Sequence, residues 1–334
     1  MTGTQELTWG RPAYREVEAD LAVVRREDVA EGVVTIALAD PDGGELPEWT
    51  AGAHIDLILD PAHPGLVRQY SLCGSTSNRS EWVVGVLLDP DSRGGSRFVH
   101  DELREGSSVR VRGPRNHFPL VGSRRYQFIA GGIGITPLLP MIEAAQARGA
   151  DWRLLYGGRE RASMAFLDEL ERYGERVTVS PRDEREGRLD LQSVLAEPND
   201  DTLVYCCGPE GLLEAVEEAC RPWPADTLHV ERFSARPIDE PSADALDSFE
   251  VECQRSGVTL TVPADRSIYD VVEEAGVDVL GSCMEGVCGT CECDLIEGEA
   301  DHRDSVLSDA EKARGDVIMV CVSRSRSERL VLDI

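Results

Sequence analysis

At 334 residues the chain exceeds what one hydrophobic core usually organises, so two or three domains are expected. Its formal net charge of −28 sets its field against nucleic acid and anionic membrane surfaces, leaving a basic protein surface as the favoured partner. No apolar run reaches the length of a membrane span and residues 1–20 are polar, so a cytoplasmic protein without a signal peptide is expected.

Residues 1–122 read as an antiparallel β-barrel. Short apolar or alternating runs recur at residues 21–24, 33–38, 54–59, 69–73, 82–88 and 109–111, with turn residues between them. Two stretches here bear chemistry. In "RQYSLCG", Arg68 sits in a strand where it could meet a phosphate; in "SRGGSRFVHDEL", Gly94, Gly95 and Ser96 lead into a helix whose first amides suit an anion. Taken singly, each reads equally well as an ordinary strand or helix cap.

Residues 123–233 alternate strand and helix. "YQFIAG" precedes a helix at 136–148; "WRLLYGG", a helix near 166–173, "RVTVS", "TLVYCCG" and a helix at 211–220 follow. This rhythm implies right-handed crossovers and a parallel α/β sheet that binds a nucleotide. Gly131, Gly132 and Gly134 in "FIAGGIGITPLLPM" stand at a strand-to-helix turn, where bare backbone can approach a dinucleotide. The third glycine of the usual fingerprint is missing and Pro137 replaces it near the first helical turn. "YCCGPEGLLEAV" repeats the arrangement at a later strand end.

Residues 234–247, with two prolines and little to bury, read as a linker. Beyond them, residues 248–334 hold alternating Phe249, Val251 and Cys253, the strand "VTLTV", a helix at 268–274 and a cysteine loop: a compact α+β domain. Cys283, Cys288 and Cys291 follow C-x4-C-x2-C, and Cys321 in "IMVCVSR" is a distant fourth. This is the plant-type 2Fe-2S spacing. A zinc site and unconnected thiols are the alternatives; a zinc ribbon would show two C-x2-C pairs. Gly281, Gly286 and Gly289 are expected to take positive φ so that backbone N–H groups point at the sulfurs. Cys293 shares a strand face with Cys291 and reads as a small buried residue, with substitute ligand as the alternative.

Together the motifs "RQYSL", "GPRNHFPL", "AGGIGITP", "YCCGP", "ERF" and "CMEGVCGTCEC…IMVCVSR" resemble, in this order, the phthalate dioxygenase reductase family over almost the whole chain from about residue 20. The resemblance implies NADH, FMN and a 2Fe-2S cluster in one polypeptide, the cluster in a β-grasp ferredoxin-like domain. A nicotinamide releases two electrons as hydride and the cluster takes one, so a flavin between them gives each domain a reason to be present.

By the same resemblance Arg68, Gln69, Tyr70 and Ser71 contact the flavin, Val86 and Leu87 offer it backbone groups, and Gly94, Gly95 and Ser96 hold the FMN phosphate. No segment for the adenosine half of FAD is evident. Gly131, Gly132, Gly134, Gly208 and Pro209 would serve the nicotinamide nucleotide. Ser71, Thr136 and Cys207 would flank the hydride path, and Phe233 would cover the flavin ring or else be a domain-junction core residue. Arg159 could meet a 2′-phosphate, a pyrophosphate or solvent, and NADH is adopted from the resemblance. Cys283, Cys288, Cys291 and Cys321 would ligate the cluster. Gln69 within the flavin motif and Arg232 within "ERF" depart from the family pattern.

The expected function is the reductase component of a two-component aromatic-ring hydroxylase or demethylase, a monomer delivering electrons to a Rieske-type oxygenase. A reductase for a cytochrome P450 is the alternative; a redox-sensing binding protein is disfavoured by the complete flavin and nicotinamide motifs. From residue 247 onward 20 Asp and Glu face 8 Lys and Arg, a local charge of −12, with Glu285 and Glu292 as docking candidates.

Overall fold

The computed structural model describes residues 16–59, 66–90, 92–184, 187, 189–236 and 248–334. Residues 1–15 of the first expected domain and 237–247 of the expected linker lie outside the described residues. No helix among the described residues is long and apolar enough to cross a membrane.

The first sheet comprises β1 (Val17–Ala30), β2 (Val33–Ala39), β3 (His54–Ile58), β4 (Val67–Ser71), β5 (Trp82–Leu87) and β6 (Ser108–Arg115), with α1 (Gly95–Asp101) before β6. Its order is β4-β3-β6-β1-β2-β5, antiparallel throughout. A Leu72–Val84 bridge and the Cys73 N–H to Val83 carbonyl bond (2.8 Å) join the two edges, curling the sheet into a barrel. The two-residue period sends Ile55 and Leu57 into the barrel core and leaves His54 and Asp56 on the outer face. These outer polar residues are nonetheless buried, Asp56 at 0% and His54 at 6% exposure, so another part of the chain covers this face.

The second sheet comprises β7 (Arg125–Gly131), β8 (Asp151–Gly158), β9 (Val177–Pro181), β10 (Thr202–Cys207) and β11 (Leu228–Glu231). Helices α2 (Leu138–Ala147), α3 (Leu167–Glu171), α4 (Gln192–Leu195) and α5 (Glu210–Cys220) connect them. All strands run parallel in the order β11-β10-β7-β8-β9. The chain leaves β7 toward β9 and returns on its other side, so the switch point lies between the ends of β7 and β10, at Gly131 and Cys207. The helix expected at 136–148 starts later: Gly132–Ile135 forms a 3-10 turn and Pro137 immediately precedes α2. The four-residue β11 and α4 carry too little periodicity to be read from sequence.

The third sheet comprises β12 (Phe249–Cys253), β13 (Val258–Val262), β14 (Glu292–Glu297), β16 (Val317–Met319) and β18 (Arg329–Leu332), in the order β13-β12-β18-β14-β16. A two-stranded ribbon of β15 (Ala300–Asp301) and β17 (Arg324–Ser325) stands beside it. β12 pairs parallel with β18 while the other three pairs of this sheet are antiparallel, and α6 (Ile268–Glu274) packs on the sheet, the β-grasp arrangement. Ser267 and Asp270 cap α6 reciprocally. The same device, Ser308 with Glu311, starts α7 (Asp309–Arg314), and Gly315 at φ 65° ends it. The sequence reading placed no helix there, although this S-x-x-E signature is plain at 308–311.

The first two domains share a core. Phe118 of the barrel exit packs on Tyr205 of β10 at 5.4 Å between ring centres, and the Tyr205 hydroxyl donates to the Pro119 carbonyl at 3.0 Å. The third domain's buried cluster is drawn from its own residues alone, running from Phe249 to Leu332. Its attachment to the barrel is polar.

Candidate active site and cluster loop

On β4 the side chains alternate. Tyr70 packs against the barrel core, while Gln69 and Ser71 share the outer face opposite Asp56 and His54 of β3. Arg68 leans on the loop before α1: its Nη2 donates to the Arg93 carbonyl at 3.0 Å, and a Cβ on Gly95 would lie 2.4 Å from its Cγ. Gly94 holds φ 96°, and Ser96 Oγ accepts from the Asp89 N–H at 3.1 Å, bracing the turn. Arg68, Gly94, Gly95 and Ser96 thus meet in one corner. Burial, with Arg93 adding to it, pushes the Arg68 guanidinium below its ordinary value; a bound phosphate would relieve this strain, so the corner fits one.

Ser71 Oγ donates to Glu231 Oε2 at 3.4 Å, and the Cys207 thiol lies 3.9 Å from the same oxygen. Parallel pairing of Cys207 with Glu231 places that carboxyl. Burial pushes Glu231 up to about 8, although the cleft beside it leaves part of the side chain reachable by water. Burial likewise raises the Cys207 thiol. Glu231 was missed from sequence; the signal was the first letter of "ERF". Arg232, the departure in that motif, ion-pairs with Glu210 and Glu217 of α5 (3.3 and 2.5 Å), tying the end of β11 to that helix. Phe233 is 45% exposed at the cleft. Thr136 is buried, its hydroxyl bonded to the Ile133 carbonyl at 2.9 Å.

The glycines at the switch point differ in what a side chain there would meet. A Cβ on Gly134 would lie 2.3 Å from the Cys207 carbonyl oxygen, and one on Gly131 2.6 Å from Pro209 Cδ, so these two let the glycine-rich turns pack on each other. The same contact occupies Gly208. Gly132, at φ 53°, faces open space. Arg159 is exposed just past β8. His100 Nε2 donates to the Val86 carbonyl at 3.0 Å, and Leu87 is 38% exposed.

In the cysteine loop, the Cys283 sulfur contacts those of Cys288 and Cys321, and Cys321 contacts Cys291. The four sulfurs therefore form one connected run, Cys288–Cys283–Cys321–Cys291. The Cys283 sulfur accepts from the Glu285 N–H at 3.3 Å, and the Val287 and Cys288 amides add to it. Hydrogen bonds from Cys288 and Cys321 hold the Cys283 thiol far below its ordinary value. The donor set fits an iron–sulfur cluster. Gly286 and Gly289 take φ 67° and 70° as expected. Gly281 does not: it is glycine because a Cβ would lie 2.3 Å from the Tyr269 ring. Cys293 is buried in the β-grasp core, and burial raises its thiol to about 12. Glu285, expected as a docking residue, forms an ion pair with Arg93 of the barrel (3.1 Å for one of two contacts).

One cleft is walled by Gln69 and Ser71 of β4, Glu231 at the end of β11 and Phe233 after it, and Cys283 and Cys288 of the loop. The flavin motif, the end of the nucleotide domain and the cysteine loop therefore open on a common space. Cys207 touches the cleft through Glu231, while Thr136, Arg159, Val86 and Leu87 are not among its lining residues.

Residues 128–218 match the oxidoreductase NAD-binding domain family and residues 251–326 the 2Fe-2S iron-sulfur cluster binding domain family. Phenoxybenzoate dioxygenase subunit beta of Ectopseudomonas oleovorans is 42% identical, over 91% of this chain and 94% of its own. Vanillate O-demethylase oxidoreductase of Pseudomonas putida is 40% identical, over 94% and 99%. The crystal structure of an intact type IV self-sufficient cytochrome P450 monooxygenase aligns with a TM-score of 0.88 at 46% identity; it covers 95% of this chain, which spans only 41% of that longer one. The solved phthalate dioxygenase reductase is 38% identical with a TM-score of 0.68, over 95% of this chain and 98% of its own. The chain belongs to the phthalate dioxygenase reductase family. As a member of the phthalate dioxygenase reductase family it is an iron–sulfur flavoprotein oxidoreductase that uses NADH, FMN and a 2Fe-2S cluster to pass electrons to an oxygenase.

Proposed function

We propose that this protein is the cytoplasmic, monomeric reductase of a Rieske-type aromatic-ring oxygenase or demethylase. The observation that carries the reading is the shared cleft of Ser71, Glu231, Phe233 and Cys283. When bound, the nicotinamide supplies a hydride, FMN splits its electron pair and the cluster hands electrons on singly.

The chain's own residues divide the work. The corner of Arg68, Gly94, Gly95 and Ser96 holds the flavin phosphate, and Tyr70 sets the ring against the barrel. Ser71 and Glu231 hold a hydroxyl and a carboxyl 3.4 Å apart at the reacting edge, where burial keeps the carboxyl protonated near neutral pH. Phe233 covers the ring, and a stacked aromatic there excludes water until the nicotinamide arrives. Gly132 admits the nucleotide backbone at the switch point, with Arg159 at its rim. Thr136 and Cys207 support the hydride path from behind. Cys283, Cys288, Cys291 and Cys321 ligate the cluster. We assign these roles to domains spanning residues 1–122, 123–233 and 248–334, with 234–247 as linker.

Reconstitution tests the reading: NADH-dependent turnover with a cognate Rieske oxygenase is expected, and failure with every such oxygenase of the same cell would overturn it. The likeness to the self-sufficient P450 favours a second reading, delivery to a cytochrome P450. Faster electron transfer to a P450 than to any Rieske oxygenase would establish it.

A further inference from the structure

The third domain carries its own core, so its seat on the barrel rests on a few polar contacts, and polar interdomain contacts by default permit motion. Two of those contacts fall on the residues just before Cys283, beside the Arg93–Glu285 pair that follows it. Gln69 Nε2 donates to Ser282 Oγ at 2.5 Å and to Asp56 Oδ1 at 3.0 Å. Arg112 Nη2 donates to the Gly281 carbonyl at 2.8 Å and to Asp56 Oδ2 at 2.9 Å. His117 fills the space beside Gly289, where a Cβ would lie 2.4 Å from its Nε2.

An amide NH2 has two hydrogens, and Gln69 uses both. Asp56 is fully buried; burial alone would raise its carboxyl, yet Arg115 and the Gln69 bond hold it below its ordinary value, so it stays an acceptor. That fixes which way the Gln69 amide points. The strand period then sets Gln69 and Ser71 on one face about 7 Å apart, one aimed at the cysteine loop and the other at Glu231.

We infer that Gln69 is a positioning residue for the cluster: through Ser282 it seats the loop beginning at Cys283 against the strand that carries Ser71. The residue that departs from the flavin motif thereby joins the flavin strand to the cluster domain. This rests on the cluster reading proposed above.

Two measurements on the intact holoprotein test it. The first is hydrogen exchange in peptides covering residues 281–292, with β8 peptides as reference. The second is stopped-flow mixing with NADH, following flavin bleaching and cluster reduction separately; in the latter phase the reduced flavin loses one electron and the oxidised cluster gains it. Ser282→Ala should speed exchange in the loop about 2- to 10-fold, the range of one net hydrogen bond. It should slow cluster reduction at least about twofold while leaving flavin bleaching unchanged. Gln69→Ala should do the same to the loop, and adding Ser282→Ala to it should add nothing. Gln69→Glu should be worse, because it sets a carboxylate against Asp56. Unchanged exchange and cluster reduction in Ser282→Ala would overturn the inference, as would flavin loss from Gln69→Ala with normal loop protection. Wild-type protein without iron and sulfide would sink the underlying cluster reading instead.

Discussion

Glu231 Oε2 accepts from Ser71 Oγ at 3.4 Å across the junction of barrel and nucleotide domain. Burial lifts this carboxyl from an ordinary 4.5 to about 8, so the native protein binds the proton more tightly than the unfolded chain. Stability from this group is therefore present at low pH and lost as pH rises from about 4.5 to about 8. The slope is at most about 1.4 kcal/mol per pH unit. Denaturation of wild type and Glu231→Gln across pH 5 to about 8 should show their difference shifting steadily in favour of the variant as pH rises. A flat difference would mean the carboxyl is already ionised.

The four-thiolate assignment makes a divided prediction. Isolated protein should contain about two irons and two labile sulfides per chain. Cys321→Ser should lose them and Cys293→Ser keep them, the latter costing about 1–3 kcal/mol for a hydroxyl buried in the β-grasp core. The reverse pattern would exchange the two roles.

Two glycines of the nucleotide domain should respond oppositely to alanine. Gly134→Ala forces a Cβ to 2.3 Å from the Cys207 carbonyl and should destabilise by about 1–3 kcal/mol or more, weakening NADH binding with it. Gly211→Ala, in α5 with open space around it, should stabilise by about 0.5–1 kcal/mol. Thermal melting of both variants checks the pair.

Denaturation should release FMN, and Arg68→Ala should loosen its retention during gel filtration because the phosphate corner loses its half-buried guanidinium. Release of FAD, or full retention in the variant, would contradict that corner's role.

The −12 charge from residue 247 onward should make electron delivery to basic cytochrome c slow with salt, while NADH-to-flavin reduction changes little. Glu285→Lys should act differently. It breaks the Arg93 pair, so its effect should appear inside the chain, as slower cluster reduction, rather than as a change in the salt slope.

Local chemistry was legible from the residues themselves. C-x4-C-x2-C with a distant cysteine, the alternation of β3 and β4, the apolar runs of a parallel sheet and the helix at 268–274 each leave a short-range pattern, because spacing along the chain is what sets them. Those patterns carried the fold class, and the ordered motifs from "RQYSL" to "IMVCVSR" carried the family resemblance. Relations between distant segments left no such trace. Gln69 meets Ser282 across 213 positions and Glu231 meets Ser71 across 160, and nothing in either local sequence names the other. The outer face of β3 and β4 reads as an ordinary solvated barrel surface until the third domain covers it. Burial then decides the charge of Asp56 and Glu231, and burial is a property of the assembled chain: the same carboxyl stays ionised beside Arg112 and Arg115 and takes up a proton where no cation compensates it.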